Sequence, residues 1–257
     1  MNKTSLITRI VEDLKAAFML LTRIPVRWNN QSPPDLNRCL WAYPVVGMVV
    51  ALIGICVYGG SAFANFPVEV SVLLSIAVMI VLTGAFHEDG LADTLDGFGG
   101  GAAKEQKLDI MRDSRIGTYG GLGLIIIIGL KVVALWNMSY YQFMTALLVG
   151  ASLSRFMILI ILTVLPPARE DGLSVNAGKP SNNAIISGLC VPFLISFSLM
   201  DLKTTLIVIA VSVMFTLLFS RLVFKQVGGF SGDVLGATQQ FSEVVVYLTL
   251  VSLWSGV

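Results

Sequence analysis

Seven apolar runs, at residues 40–60, 68–86, 118–136, 143–165, 184–200, 206–222 and 241–254, constrain this 257-residue chain more than any other feature. A helix of about 20 mostly apolar residues crosses the hydrocarbon of a bilayer, because it satisfies its own backbone hydrogen bonds where water is absent. The expected fold is therefore all-α, a polytopic bundle of about seven transmembrane helices. The last run is short and reads as tilted or partly interfacial. With 55% hydrophobic and 13% charged residues, and a mean hydropathy of +0.81, the chain has too little polar surface for water to be its solvent.

Lys and Arg collect in cytoplasmic loops, so their distribution tests the span count. With the N-terminus inside, Lys203 is the one basic residue left on the outer side, and the C-terminus falls outside. Leu6, Ile7, Ile10, Leu14, Phe18 and Leu21 recur at helical spacing before Pro25, which predicts a helix lying on the cytoplasmic interface against lipid. Glu12 and Asp13 argue against a cleaved signal peptide. No repeat or linker divides the chain, and residues 1–257 read as a single integral membrane domain. A net charge of +1 without clustered bases excludes a nucleic-acid groove. Cys39, Cys56 and Cys190 lack metal-ligand or disulfide spacing.

Two bases remain inside spans. Lys131 lies toward the outer end of its helix and is expected to snorkel to the headgroups. Arg155 sits mid-span, where a charge costs about 2.5 to 3.5 kcal/mol, and calls for an anionic partner, either a carboxylate or a substrate phosphate.

Chemistry concentrates in one segment. In His87-Glu88-Asp89-Gly90-Leu91-Ala92-Asp93-Thr94-Leu95-Asp96-Gly97, four acids fall within nine residues. On a helix Asp89, Asp93 and Asp96 share a stripe about 60° wide, and carboxylates so placed repel unless a cation sits among them. Mg²⁺, a hard ion commonly held by carboxylates and substrate phosphates, suits such a stripe, with Glu88 beside it as a further oxygen donor. Gly90 and Ala92 leave room for a ligand to approach the backbone. Beyond a flexible Gly99-Gly100-Gly101 turn, Asp109 and Asp113 are four apart on what reads as one helical face, interleaved with Arg112 and Arg115 and preceded by Lys104 and Lys107. Solvation explains Lys104, Glu105 and Lys107 equally well. The glycine-bearing segments 168–173, with Arg169, and 228–237, with Gly232 and Asp233, are candidates to bring binding turns to the same face. His87, the one histidine, reads as a helix-end residue with a local hydrogen bond. Ser114 has no histidine partner for acyl transfer, and no Walker pattern occurs.

Together Thr22-Arg23-Ile24-Pro25-Val26, residues 44–47, Phe86 to Gly97, Ile110-Met111-Arg112-Asp113-Ser114-Arg115-Ile116-Gly117-Thr118, Ser154-Arg155, 169–173 and 228–237 resemble the cobalamin synthase family over nearly the whole chain. The resemblance implies a Mg²⁺-dependent transfer in a bacterial cytoplasmic (inner) membrane, with the site facing the cytoplasm. The ribose hydroxyl of α-ribazole, or of its 5'-phosphate, attacks the cobinamide-linked phosphorus of adenosylcobinamide-GDP, and GMP leaves. It implies Glu88, Asp89, Asp93, Asp96 and Asp109 at metal, Asp96, Arg112 and Asp113 at the chemistry, and Lys104, Arg115, Arg155, Arg169, Gly232 and Asp233 at the bound substrate. Asp93-Thr94-Leu95-Asp96-Gly97 and Asp109-Ile110-Met111-Arg112-Asp113 are also similar to the D-x-x-D-G and D-x-x-x-D halves of CDP-alcohol phosphotransferases, with a shorter gap and Gly100-Gly101 in place of an Ala-Arg pair. In that family the final acid is the base, which implies that role for Asp113. A phospholipid-making member of that second family is the alternative, and a secondary transporter built around Arg155 is a more distant one. The sequence leaves the oligomeric state open, a homo-oligomer included.

Overall fold

The structure, a computed structural model, describes residues 6–28, 33–170 and 178–255. Its elements are α1 (Leu6–Leu21), a 3₁₀ turn (Arg38–Ala42), α2 (Tyr43–Phe63), α3 (Val68–Thr83), α4 (Phe86–Gly100), α5 (Lys104–Ile110), α6 (Thr118–Trp136), α7 (Tyr140–Val164), α8 (Asn182–Leu199), α9 (Leu202–Val227) and α10 (Gly232–Trp254). No strand occurs among the described residues. Four helices begin at polar side chains that accept from first-turn N–H groups: Ser139 from Gln142, Ser181 from Ala184, Asp201 from Thr204 and Ser231 from Val234.

Six of the described helices are long and apolar enough to cross a membrane, counting the 3₁₀ turn with α2, and the pair α3–α4 brings the total to seven. That pair is bent by 88°, where the sequence suggests a straight span at 68–86. Gly84 and Ala85, both at positive φ, make the turn. Gly84 leaves space that the Arg23 side chain fills, and its N–H closes α3 on Ile80 and Val81. The seventh crossing also differs from its expected bounds. α10 runs for 23 residues rather than 241–254, because Asp233, Gln239 and Gln240 make its first turns read as polar loop.

α7 is the axis of the bundle, buried along most of its length and packed on α2 and α10. α1 docks its Asp13, Ala16, Ala17 and Leu21 face on the 3₁₀ turn, and Asp13 accepts hydrogen bonds from Arg38 and Trp41. Its opposite face leaves Leu6 and Ile7 exposed, which suits contact with lipid.

Lys131 does not snorkel. Its Nζ is buried in the bundle, 2.6 Å from Glu243 and 2.7 Å from Gln240. Gln240 donates to Glu88, Gln239 donates to Ser154 and Glu243, and Tyr247 donates to Glu243. Arg155 lines the same interior space, donating to the Ala151 carbonyl within the field of Glu243 and Glu88. Among the described residues neither acid forms an ion pair with it, and its Nε has no hydrogen-bond partner, so the expected direct anionic partner is not seen. Glu243 is the residue that an expectation built on bases within spans leaves out; an acid inside an apolar run carries the same signal.

Candidate active site

α4 meets α10 at two glycines. A Cβ on Gly90 would lie 2.8 Å from the Asp233 carbonyl oxygen, and one on Gly236 would lie 3.1 Å from that of His87. The room at Gly90, read as ligand space, is therefore filled by helix packing, and Ala92 is buried as well. This crossing brings the first turn of α10 beside the acid stripe of α4. Asp89 is exposed, Asp93 half-buried, and Asp93 lies within the electrostatic reach of Asp89, Asp96 and Asp233, with Arg169 as the countercharge. Ser231 caps α10 and donates to Asp233 at 3.2 Å.

The segments at 168–173 and 228–237 meet as well. Ala168 N–H donates to Phe230 and Phe230 N–H to Pro166, at 2.8 and 2.9 Å, as a parallel bridge. The bridge fixes Arg169, whose Nη2 lies 2.7 Å from the Leu108 carbonyl and 3.9 Å from Asp233. One guanidinium therefore links the start of α10 to α5. Asp171, Gly172 and Leu173 lie outside the described residues.

Asp96 is engaged locally. Its two oxygens accept from Gly117 N–H at 2.7 Å and Gly120 N–H at 2.8 Å, so it caps α6. A Cβ at either glycine would come within 2.4 Å of an Asp96 carboxylate oxygen. The spacing of an acid to a later G-x-x-G is the signal that the sequence reading missed.

α4 continues through Gly100 with Gly99 against the Tyr119 ring, so the first two glycines of the triplet are helical and the turn to α5 begins only at Gly101. α5 ends at Ile110, which leaves Asp109 exposed on the helix and Asp113 beyond it, off the shared face that D-x-x-x-D suggests. Asp113 forms a bidentate pair with Arg115, whose guanidinium holds that carboxyl below the usual carboxylate range and is itself raised in turn. Both residues line an open cleft with Asp96 and Tyr119, and Arg112 is exposed nearby. Lys104 reaches Gly228, and Lys107 hydrogen-bonds Gln226, which ties α5 to the end of α9. Two expected site residues fall elsewhere. Glu88 turns toward Gln240 and Arg155 lies beside it in the interior network, so neither faces Asp89 or Asp93 across the acid cluster. His87, 2% exposed, has a buried Nε2 with no hydrogen-bond partner among the described residues, in place of the local bond expected of it.

No group of three or more His, Cys, Asp or Glu among the described residues stands ready to hold a metal ion by itself. The donors nevertheless suit Mg²⁺, which is commonly bound by one or two carboxylates and completed by water and substrate phosphates. Asp89, Asp93, Asp109 and Asp233 offer oxygen, with no thiolate or imidazole among them.

The profile of one family, Cobalamin-5-phosphate synthase, matches residues 13–251. The adenosylcobinamide-GDP ribazoletransferase of Azorhizobium caulinodans is 40% identical over 248 residues, covering 92% of this chain and 94% of its own length. Those of Bradyrhizobium diazoefficiens and Shewanella amazonensis are 36% and 37% identical, with 98% and 96% of this chain covered and 98% and 97% of theirs. No solved structure matches.

Proposed function

We propose a mechanism from one premise: the chain belongs to the cobalamin-5-phosphate synthase family. It is a multi-pass membrane enzyme of cobalamin biosynthesis that transfers α-ribazole, or its 5'-phosphate, to adenosylcobinamide-GDP. A phospholipid-making phosphotransferase and a transporter are not favoured by that membership.

The observation that carries the site assignment is the Gly90–Gly236 crossing, which gathers Asp89, Asp93 and Asp233 with Arg169 at one end of the bundle. Asp89 and Asp93 would hold Mg²⁺, and the ion when bound would neutralise charge on the diphosphate and the departing GMP, with Asp109 on α5 as a further oxygen donor for the bound complex. Arg169 is fixed by Leu108 and sits beside the acids, positioned to orient a phosphate oxygen. Asp96 works indirectly: by capping α6 it sets Gly117 and the Arg115 loop at the cleft rim. Arg115 is exposed, and an arriving diphosphate competes with Asp113 for its guanidinium. Exchange of that partner frees Asp113 to accept the proton of the attacking ribose hydroxyl, which bonds to the cobinamide-linked phosphorus as GMP departs.

The positive-inside pattern supports a cytoplasmic position for this end in a bacterial inner membrane, where cytosolic nucleotides reach it. The decisive assay uses purified protein with adenosylcobinamide-GDP, α-ribazole and Mg²⁺, following GMP release. Asp93→Asn should abolish release while membrane insertion persists; near-normal release from that variant would sink the site assignment. Cysteine labelling at Glu105 and Lys203 should report opposite faces.

A further inference from the structure

A cleft between α1, α2, α4, α7 and α10 takes no part in the steps above, yet it adjoins them. Its cavity volume is about 70 Å³, and its walls are mostly apolar: Leu20, Tyr43, Phe86, Ile158, Leu162 and Leu235. Gly232, next in sequence to Asp233, lines it, and nothing lies within 4 Å of where a side chain at Gly232 would begin. A ligand seated there continues past Gly232 toward the acids. On the α4 side the cleft is bounded by His87, two residues before Asp89. The His87 ring is buried and its Nε2 is unpartnered. Leaving such an atom unsatisfied costs about 1–3 kcal/mol, which a ligand with one well-placed polar atom removes.

Mostly apolar walls, whose polar side-chain atoms are the His87 ring nitrogens and the Tyr43 hydroxyl, favour a flat, mostly hydrocarbon ligand with few hydrogen-bonding positions. Guanine would leave several donors and acceptors unpaired in such walls, a strong discrimination. The corrin carries polar amides around its rim and meets the same objection. The base of α-ribazole, a dimethylbenzimidazole, has one ring nitrogen free of the sugar and is otherwise apolar.

We infer that this cleft seats the dimethylbenzimidazole base of α-ribazole, with His87 Nε2–H donating to the free ring nitrogen and the ribose passing Gly232 to reach the acids. This rests on the ribazole-transfer reading. A lipid acyl chain is the rival occupant, and it would leave His87 unpaired.

The test measures equilibrium binding of radiolabelled α-ribazole to the purified full-length protein in detergent, alongside KM values for both substrates. A matched probe carries carbon in place of the free ring nitrogen. Wild type should prefer α-ribazole over that probe by about tenfold, the worth of one hydrogen bond. His87→Leu should bind the two equally, and His87→Gln, which keeps a donor, should recover most of the preference. Gly232→Leu projects into open space and is expected to fold; it should weaken α-ribazole binding by about tenfold or more while the KM for adenosylcobinamide-GDP stays within about twofold. Equal binding of both ligands by wild type, or unaltered binding in Gly232→Leu, overturns the assignment. So does a phospholipid, seen by native mass spectrometry, that α-ribazole fails to displace. Wild-type protein that binds α-ribazole in this way but never releases GMP from adenosylcobinamide-GDP would instead refute the transfer reading and leave the cleft assignment intact.

Discussion

Replacing Glu243 by Gln tests whether the interior of the bundle is held by charge balance. Lys131 and Arg155 face Glu88 and Glu243 in one buried space, so the network is neutral as a whole. The Lys131–Glu243 pair is 2.6 Å apart with side chains 6% and 4% exposed. At an effective dielectric of about 20 the attraction across that distance is roughly 6 kcal/mol. Desolvation of two ions offsets it at several kcal/mol each, so the intact pair contributes little net stability. The single variant is different, because it leaves one buried cation uncompensated at a cost of about 3–5 kcal/mol. Lys131→Met should cost a similar amount with the opposite residual charge. The double variant Lys131→Met/Glu243→Gln restores neutrality, and the amide oxygen it introduces on α10 still accepts from Gln239 and Tyr247, so more than half of the loss should return. Chemical unfolding in mixed micelles, read by tryptophan fluorescence, gives the three values. A single variant within about 1 kcal/mol of wild type, or a double variant at the sum of the singles, would refute the argument.

Asp96→Asn keeps the shape of the α6 cap and removes its charge; it should lose about 1.5–3 kcal/mol of stability, while Gly117→Ala, which collides with the same carboxylate, should lower melting temperature and turnover together. Asp113 has its carboxyl lowered by Arg115, so it is ionised above its depressed folded value and the pair is lost as pH falls through that value. Arg115→Gln should therefore shift the acid limb of the kcat/KM profile, which reports the free enzyme, to higher pH, and an unmoved limb there would remove Asp113 from the role of base. Ala85 adopts a left-handed conformation with φ of 56°, so Ala85→Gly should stabilise the protein by about 1 kcal/mol, checked by the same unfolding measurement.

What the sequence shows and what it hides divide along a physical line. Apolar runs report burial in lipid directly, and the bundle of membrane helices was legible from them. The acid stripe on α4 was legible because three carboxylates at helical spacing need a reason. Contacts between distant helices leave no such trace. Glu243 belongs with Lys131, 112 positions away, and nothing near either residue says so. Gly90 and Gly236 read as room for a ligand or a loop, yet each is the space that the other helix occupies. The same blindness put Asp113 on a helix: the spacing from Asp109 is helical, but α5 ends at Ile110 and the chain turns to give Asp113 to Arg115.

The bend at Gly84 and Ala85 connects these observations. A straight helix through 68–86 would carry the acids on along its own axis. The 88° turn instead lays α4 against α10, so that Glu88 meets Gln240 and Gly90 meets Asp233. His87 then stands between the interior charge network and the apolar cleft, lining both. Two positive-φ residues thereby divide one short acidic run between separate environments. Glu88 is buried with Lys131 and Arg155 nearby, whereas Asp89 is exposed and Asp93 half-buried at the end of the bundle. That division explains why neighbouring acids in one motif need not share one task.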